Sequence, residues 1–172
     1  MEKNTVIAML IASKLFRDEE LIIPKNYFES NGAKVLVASS SLEPSTGMLH
    51  SVVNPDITIK SISADEMDAL VLVGGSGAVE YFDDQTVFSH AHAFYTKNKC
   101  LGAICIAPMI LAHAGLLQKK KVTVYPSEAD HIQSYGAIYI NEAVVIDHNI
   151  ITANGPQAAL LFAQAIGKLL QL

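Results

Sequence analysis

No stretch of the sequence reaches the roughly 18 uninterrupted apolar residues that a membrane span requires, so no membrane insertion is expected. Basic clusters are equally scarce. The net charge is −5, and the one run of lysines, "QKKKV" at 118–122, reads as a solvated turn, which leaves no electrostatic footprint for nucleic acid. There are two cysteines, Cys100 and Cys105. They lie five apart in or beside one predicted strand, a poor geometry for a disulfide, and a reduced, cytoplasmic chain is expected. Neither a CxxC pair nor a His/Cys cluster at ligand spacing is present, so no metal is expected. Internal repeats, low-complexity tracts and linkers are also missing, and residues 1–172 are read as a single domain. At the amino terminus Glu2 and Lys3 precede an apolar run without a small-residue cleavage site. That run reads as a buried first strand and not as a secretory signal.

What is present is a dense alternation of apolar runs and helical patterns, with 51% hydrophobic and 17% charged residues. "TVIAMLIA" at 5–12 and the run at 34–39 have strand length. The helix between them opens on the acidic residues 18–20, which suit the positive end of the helix dipole, and closes at Asn31-Gly32. Pro24 falls inside it. Its missing N–H leaves the Glu20 carbonyl without a partner, which predicts a distorted turn around Glu20. "MDALVLVGGSGA" at 67–78 is a strand entering a glycine-rich turn, and 85–98 is an amphipathic helix. A strand at 100–105, a helix at 108–114 ending on Gly115, and a short strand at 121–125 follow. "AVVI" and "IITA" form a hairpin around "DHN", and a last helix starts at Pro156. Strands alternating with helices predict a single doubly wound α/β domain, a mostly parallel sheet with helices on both faces and a small β-hairpin.

In an open α/β sheet, ligands bind outside the carboxyl ends of the strands. Glu20, Gly74 to Gly77 and Cys105 all fall there. A sharp strand-to-helix turn at Cys105 would lift the thiol into a cleft and aim backbone N–H groups at whatever it attacks. A thiol near a helix start should also ionise more readily than the free value of about 8.5. Against this stands the alternative that "AIC" ends a core strand, since free cysteine is among the most buried residue types. That is the plain reading for Cys100. Glu20 has two readings as well. It is either a surface residue of a first helical turn, or a buried carboxylic acid that keeps its proton and donates a hydrogen bond to the thiolate.

"GGSG" at 74–77 lacks the following Lys-Ser/Thr of a phosphate loop. Glycines that let backbone N–H groups approach a reacting oxygen are the better use of it. Among the histidines, His90 and His92 are two apart and do not share a helix face. His113 lies about 12 Å along its helix from the cysteine, too far to be a direct base. His148 belongs to the hairpin turn, and His50 and His131 are weak candidates that could reach the cleft only through loops.

Taken together, "DEELIIP" at 18–24, "ALVLVGGSGA" at 69–78, "GAICIAP" at 102–108, "KVTVYP" at 121–126 and "IITANGP" at 150–156 resemble the ThiJ/PfpI superfamily over nearly the whole chain. The likeness is closest to the branch containing the Parkinson's-linked protein deglycase and its bacterial ThiJ-like relatives. It implies a flavodoxin-like three-layer sandwich, usually a homodimer, with a reactive cysteine on an elbow matching Cys105. The glutamate four residues before the proline matches Glu20, and the oxyanion amides correspond to Gly75 and Ile106, with Gly74, Tyr125 and Asn154 near the pocket. The implied activity is cofactor-independent conversion of 2-oxoaldehydes such as methylglyoxal, or repair of their adducts. The implied alternatives are redox sensing in oxidative stress through Cys105, a chaperone role, and peptidase action. Ile106 stands where the peptidase-like branch has histidine, which counts against a Cys-His pair. Tyr125 replaces a histidine found in some relatives, Asn154 an arginine, and Val73 a common proline. No His-x-Glu pair follows, as amidotransferase-like hydrolysis would require.

Overall fold

The computed structural model describes residues 4–172, so Glu2 and Lys3 lie outside the described residues. Seven strands form the main sheet: β1 (Val6–Leu10), β2 (Lys34–Ser39), β3 (Ile57–Thr58), β4 (Ala69–Leu72), β5 (Cys100–Ile104), β6 (Val144–Asp147) and β7 (Ile150–Ala153). Their spatial order is β6-β7-β5-β4-β1-β2-β3. All neighbours are parallel except β6 and β7. The helices are α1 (Asp18–Ser30), α2 (Gln85–Thr96), α3 (Pro108–His113), α4 (Ala129–Ser134) and α5 (Ala159–Leu170). The expected α/β sandwich is the architecture found.

The central strands are covered on both sides, which is why they read as unbroken apolar runs and not as alternating patterns. Ile7 to Leu10 and Ala69 to Leu72 are all buried. Each fully buried aliphatic side chain of this kind stabilises the fold by about 1.5–3 kcal/mol. α1 packs along α5, and α5 in turn lies on β5 and β7, while α2 covers β4 and β5. α1 passes through Pro24 without a break, where a distorted turn at Glu20 was expected, and ends at Asn31, whose N–H bonds back to Tyr27 and Phe28.

Several short elements carried too little periodicity to be anticipated. Lys14–Phe16, Ser45–Gly47 and Val52–Val53 make a separate three-stranded sheet. The strand expected at 121–125 shrinks to Lys121–Val122 and pairs with Ile138–Tyr139 outside the main sheet. The hairpin turn is as expected, with His148 at φ +54°.

The chain reverses direction across the sheet at β1. It steps to β2 on one side and returns through β4, β5 and β7 on the other. That switch point opens a crevice at the carboxyl ends of β1 and β4, the place where such sheets bind ligands.

Candidate active site

β5 ends at Ile104, and the next residue, Cys105, has φ +64°. For a side chain other than glycine this left-handed conformation is uncommon and costs on the order of 1–3 kcal/mol unless its surroundings enforce it. Here they do. The Cys105 N–H donates to the Ala153 carbonyl of β7 at 2.9 Å, and its own carbonyl accepts the Tyr125 N–H at 2.8 Å. α3 begins three residues later with Pro108 in its first turn. The result is a strand-to-helix elbow with the thiol at its apex, 8% exposed.

Gly74 and Gly75 follow β4 and lie against this elbow. A Cβ added to Gly74 would stand 2.5 Å from the Cys105 Cβ, 2.5 Å from Glu20 Oε2 and 2.6 Å from the Ile104 carbonyl oxygen. Only glycine fits there. Gly75 has φ +99°, and a Cβ on it would collide with the Leu15 carbonyl and the Arg17 nitrogen. The Gly75 and Ile106 N–H groups lie near enough to the Cys105 sulfur to favour its ionised form.

Glu20, in the first turn of α1, is completely buried. Its Oε2 accepts the Gly74 N–H at 3.0 Å, whereas Oε1 is buried without a hydrogen-bond partner. The carboxyl and the thiol are close enough that each alters the other's ionisation. Burial pushes the Glu20 carboxyl up to about 8, with the Cys105 thiol and the Gly74 N–H pulling less strongly the other way. At neutral pH it carries a proton.

The thiol corrects the sequence expectation. Burial and then the adjacent Glu20 charge push Cys105 up to about 12, against the smaller downward pull of the Gly75 and Ile106 N–H groups. The pair therefore holds its protons in the resting protein. The helix start expected to acidify the thiol is outweighed because water is excluded from both partners. Cys100, in the core of β5, is also raised to about 12, by burial alone.

Tyr125, 44% exposed, and Asn154 line one cleft of about 280 Å³ together with Pro126, Gly155, Pro156 and Gln157. Two backbone bonds link this cleft to the elbow, Tyr125 N–H to Cys105 and Cys105 N–H to Ala153. Gly74 packs against Glu20 and Cys105 and is not among the residues that line this cleft. None of the six histidines is hydrogen-bonded to Cys105 or Glu20 among the described residues. His113 instead stacks on Tyr135 and bonds to its hydroxyl at 3.1 Å.

Two residues beside Glu20 were not singled out as site residues in the sequence. Asp18, 3% exposed, accepts the N–H groups of Leu49 at 2.8 Å and Ser51 at 3.0 Å, tying that loop to the start of α1. Arg17 makes a two-bond fork with Glu19 at 2.8 and 2.9 Å. The available signal was compositional, since Arg17 is the chain's single arginine.

Residues 5–169 match the DJ-1/PfpI family. An uncharacterized protein of Methanocaldococcus jannaschii is 44% identical over 172 residues, covering 98% of this chain and 84% of the relative. Deglycase PfpI of Pyrococcus furiosus is 30% identical over 163 residues, covering 95% of this chain and 98% of the relative. The crystal structure of a ThiJ/PfpI domain protein from Brachyspira murdochii superposes with a TM-score of 0.94 at 32% identity, covering 98% of each chain. The flavodoxin-like sheet and the sequence likeness along it agree, and the chain belongs to the DJ-1/PfpI family.

Proposed function

We propose that this chain is a cofactor-independent enzyme acting on small 2-oxoaldehydes such as methylglyoxal, or on their adducts with protein or nucleotide groups. Cys105 is the nucleophile and Glu20 the proton carrier. The observation that carries this reading is the fully buried Glu20 carboxyl beside the thiol, held at about 8 by burial. A carboxyl tuned to that range both holds and releases a proton near neutral pH, as a general acid-base group must. The deglycase name of the Pyrococcus furiosus relative supports the same class.

With methylglyoxal the steps balance as follows. The Cys105 sulfur bonds to the aldehyde carbon while the thiol proton passes to the carbonyl oxygen, giving a hemithioacetal. Glu20, as carboxylate, removes the hydrogen from that carbon and returns a proton to the neighbouring one through an enediol. The N–H groups of Gly75 and Ile106 steady the oxygen that gains charge. The product is a lactyl thioester, and water hydrolyses it to lactate and free thiol.

The test is to incubate pure protein with methylglyoxal and follow lactate, with Cys105→Ser and Glu20→Gln as controls. Lactate formation that vanishes in both variants supports the reading. Turnover that is absent, or that survives both substitutions, overturns it.

A further inference from the structure

Arg17 stands immediately before α1, and its backbone is part of the site's frame. Its N–H donates to the Gly74 carbonyl at 2.9 Å, and its carbonyl accepts the Glu20 N–H at 3.1 Å. Any residue but proline at position 17 could make those bonds, so the guanidinium is not explained by them. Glu19 occupies Nε and Nη2, and Nη1 has no hydrogen bond among the described residues. The side chain is 28% exposed, yet both Glu20 and Cys105 lie within reach of its charge. The cleft lined by Tyr125, Asn154, Gln157, Gly155 and two prolines offers no charge.

A guanidinium forked onto one carboxylate, with one nitrogen left without a hydrogen bond and its charge within range of the nucleophile, suits an anionic oxygen better than an ammonium would, because its donors are fixed in a plane and weakly hydrated. We infer that Arg17 anchors an anionic group of the substrate through Nη1, so that this chain prefers 2-oxoaldehydes bearing a carboxylate or phosphate to neutral methylglyoxal. The inference rests on the dicarbonyl reading above for the reacting end of the substrate. Glu19 then orients the anchor, and Cys105 meets the aldehyde at the other end of the same molecule.

The test uses three probes: methylglyoxal, 4,5-dioxopentanoate for the carboxylate, and 3-phosphooxy-2-oxopropanal for the phosphate. Kd is measured calorimetrically on full-length Cys105→Ser protein, which forms no hemithioacetal, and kcat/KM on the native chain. At least one anionic probe is expected to bind about tenfold or more tightly than methylglyoxal, the scale of a charge-assisted hydrogen bond. Arg17→Gln should bring the three Kd values within about twofold of one another, and Arg17→Lys, which keeps the charge without the fork, should fall between. Equal Kd values before substitution, or a preference that survives Arg17→Gln, overturn the inference. The enzyme reading fails separately, if the native chain converts none of the three probes while the calorimetric preference still follows Arg17. Turnover of methylglyoxal with no anion preference leaves that reading standing and removes this one.

Discussion

The Glu20 carboxyl and the Gly74 backbone N–H meet at 3.0 Å across 54 positions of sequence. This bond joins the first turn of α1 to the loop after β4. It holds the carboxyl against Cys105 while leaving the second oxygen, Oε1, without a fixed partner. An acid-base group needs that combination of a fixed position and a free oxygen.

Gly74→Ala tests how tightly this arrangement is packed. The new methyl would lie 2.5 Å from both Cys105 Cβ and Glu20 Oε2, so one of them must move. Overpacking of this kind costs about 1–3 kcal/mol, and each kcal/mol lowers the midpoint by about 2–4 °C in a chain of this size. Thermal unfolding should show that drop, and lactate formation should fall further than the loss of folded protein explains.

The pH dependence of turnover follows from the raised pair. With Glu20 at about 8 and the thiol higher, both are protonated in the resting protein at neutral pH, and the base form appears only as pH rises. kcat/KM for methylglyoxal should therefore climb through about pH 8. A pH-rate profile that is flat from 6 to 9 would contradict the assignment of Glu20 as base.

Stability should run the opposite way. The folded Glu20 value lies above its ordinary 4.5, so between about pH 4.5 and 8 the native state keeps a proton that the unfolded chain has released. The native state binds more protons, and stability falls as pH rises through that window. Glu20→Gln cannot ionise, so its unfolding free energy should lose this slope and gain on the parent chain toward pH 9. Urea denaturation of both proteins at pH 5, 7 and 9 reads the difference.

Asp18 behaves as the mirror case. Burial alone would raise its carboxyl, but hydrogen bonds from the Ser51 side chain and from the Leu49 and Ser51 N–H groups outweigh it and hold the value below the ordinary 3.8. Its stabilising effect is present above that ordinary value and is lost as pH falls through the lowered one. Asp18→Asn should cost about 1–3 kcal/mol, the scale for a buried hydrogen-bonding group left imperfectly paired. Hydrogen exchange should show faster opening of the loop holding Leu49 and Ser51.

Peroxide treatment addresses the thiols. Both are raised by burial, so at pH 7 oxidation should be slow. It should then accelerate with pH at Cys105, which is 8% exposed, before it does at the 2% exposed Cys100. Fragment spectra of the digested protein distinguish the two sites.

The amino-acid sequence by itself determined the alternation of elements, because apolar runs of strand length and helical spacing are local properties. Lys34–Ser39 and Cys100–Ile104 fall within a residue of their expected bounds. The short pairings around Lys14–Phe16 and Lys121–Val122 were illegible, since two or three residues carry no period and their partners lie far along the chain. The site divides the same way. Cys105, Glu20, Gly75 and Ile106 were marked by turn position and by motif, but whether Glu20 faced water or the thiol depended on burial, which no first-turn pattern encodes. Arg17 became visible only when the fold set its backbone between Gly74 and Glu20. The ionisation of the pair was decided by tertiary structure alone. A helix start argues locally for an acidic thiol, whereas exclusion of water from two neighbouring acids, a property of the assembled crevice, makes both keep their protons.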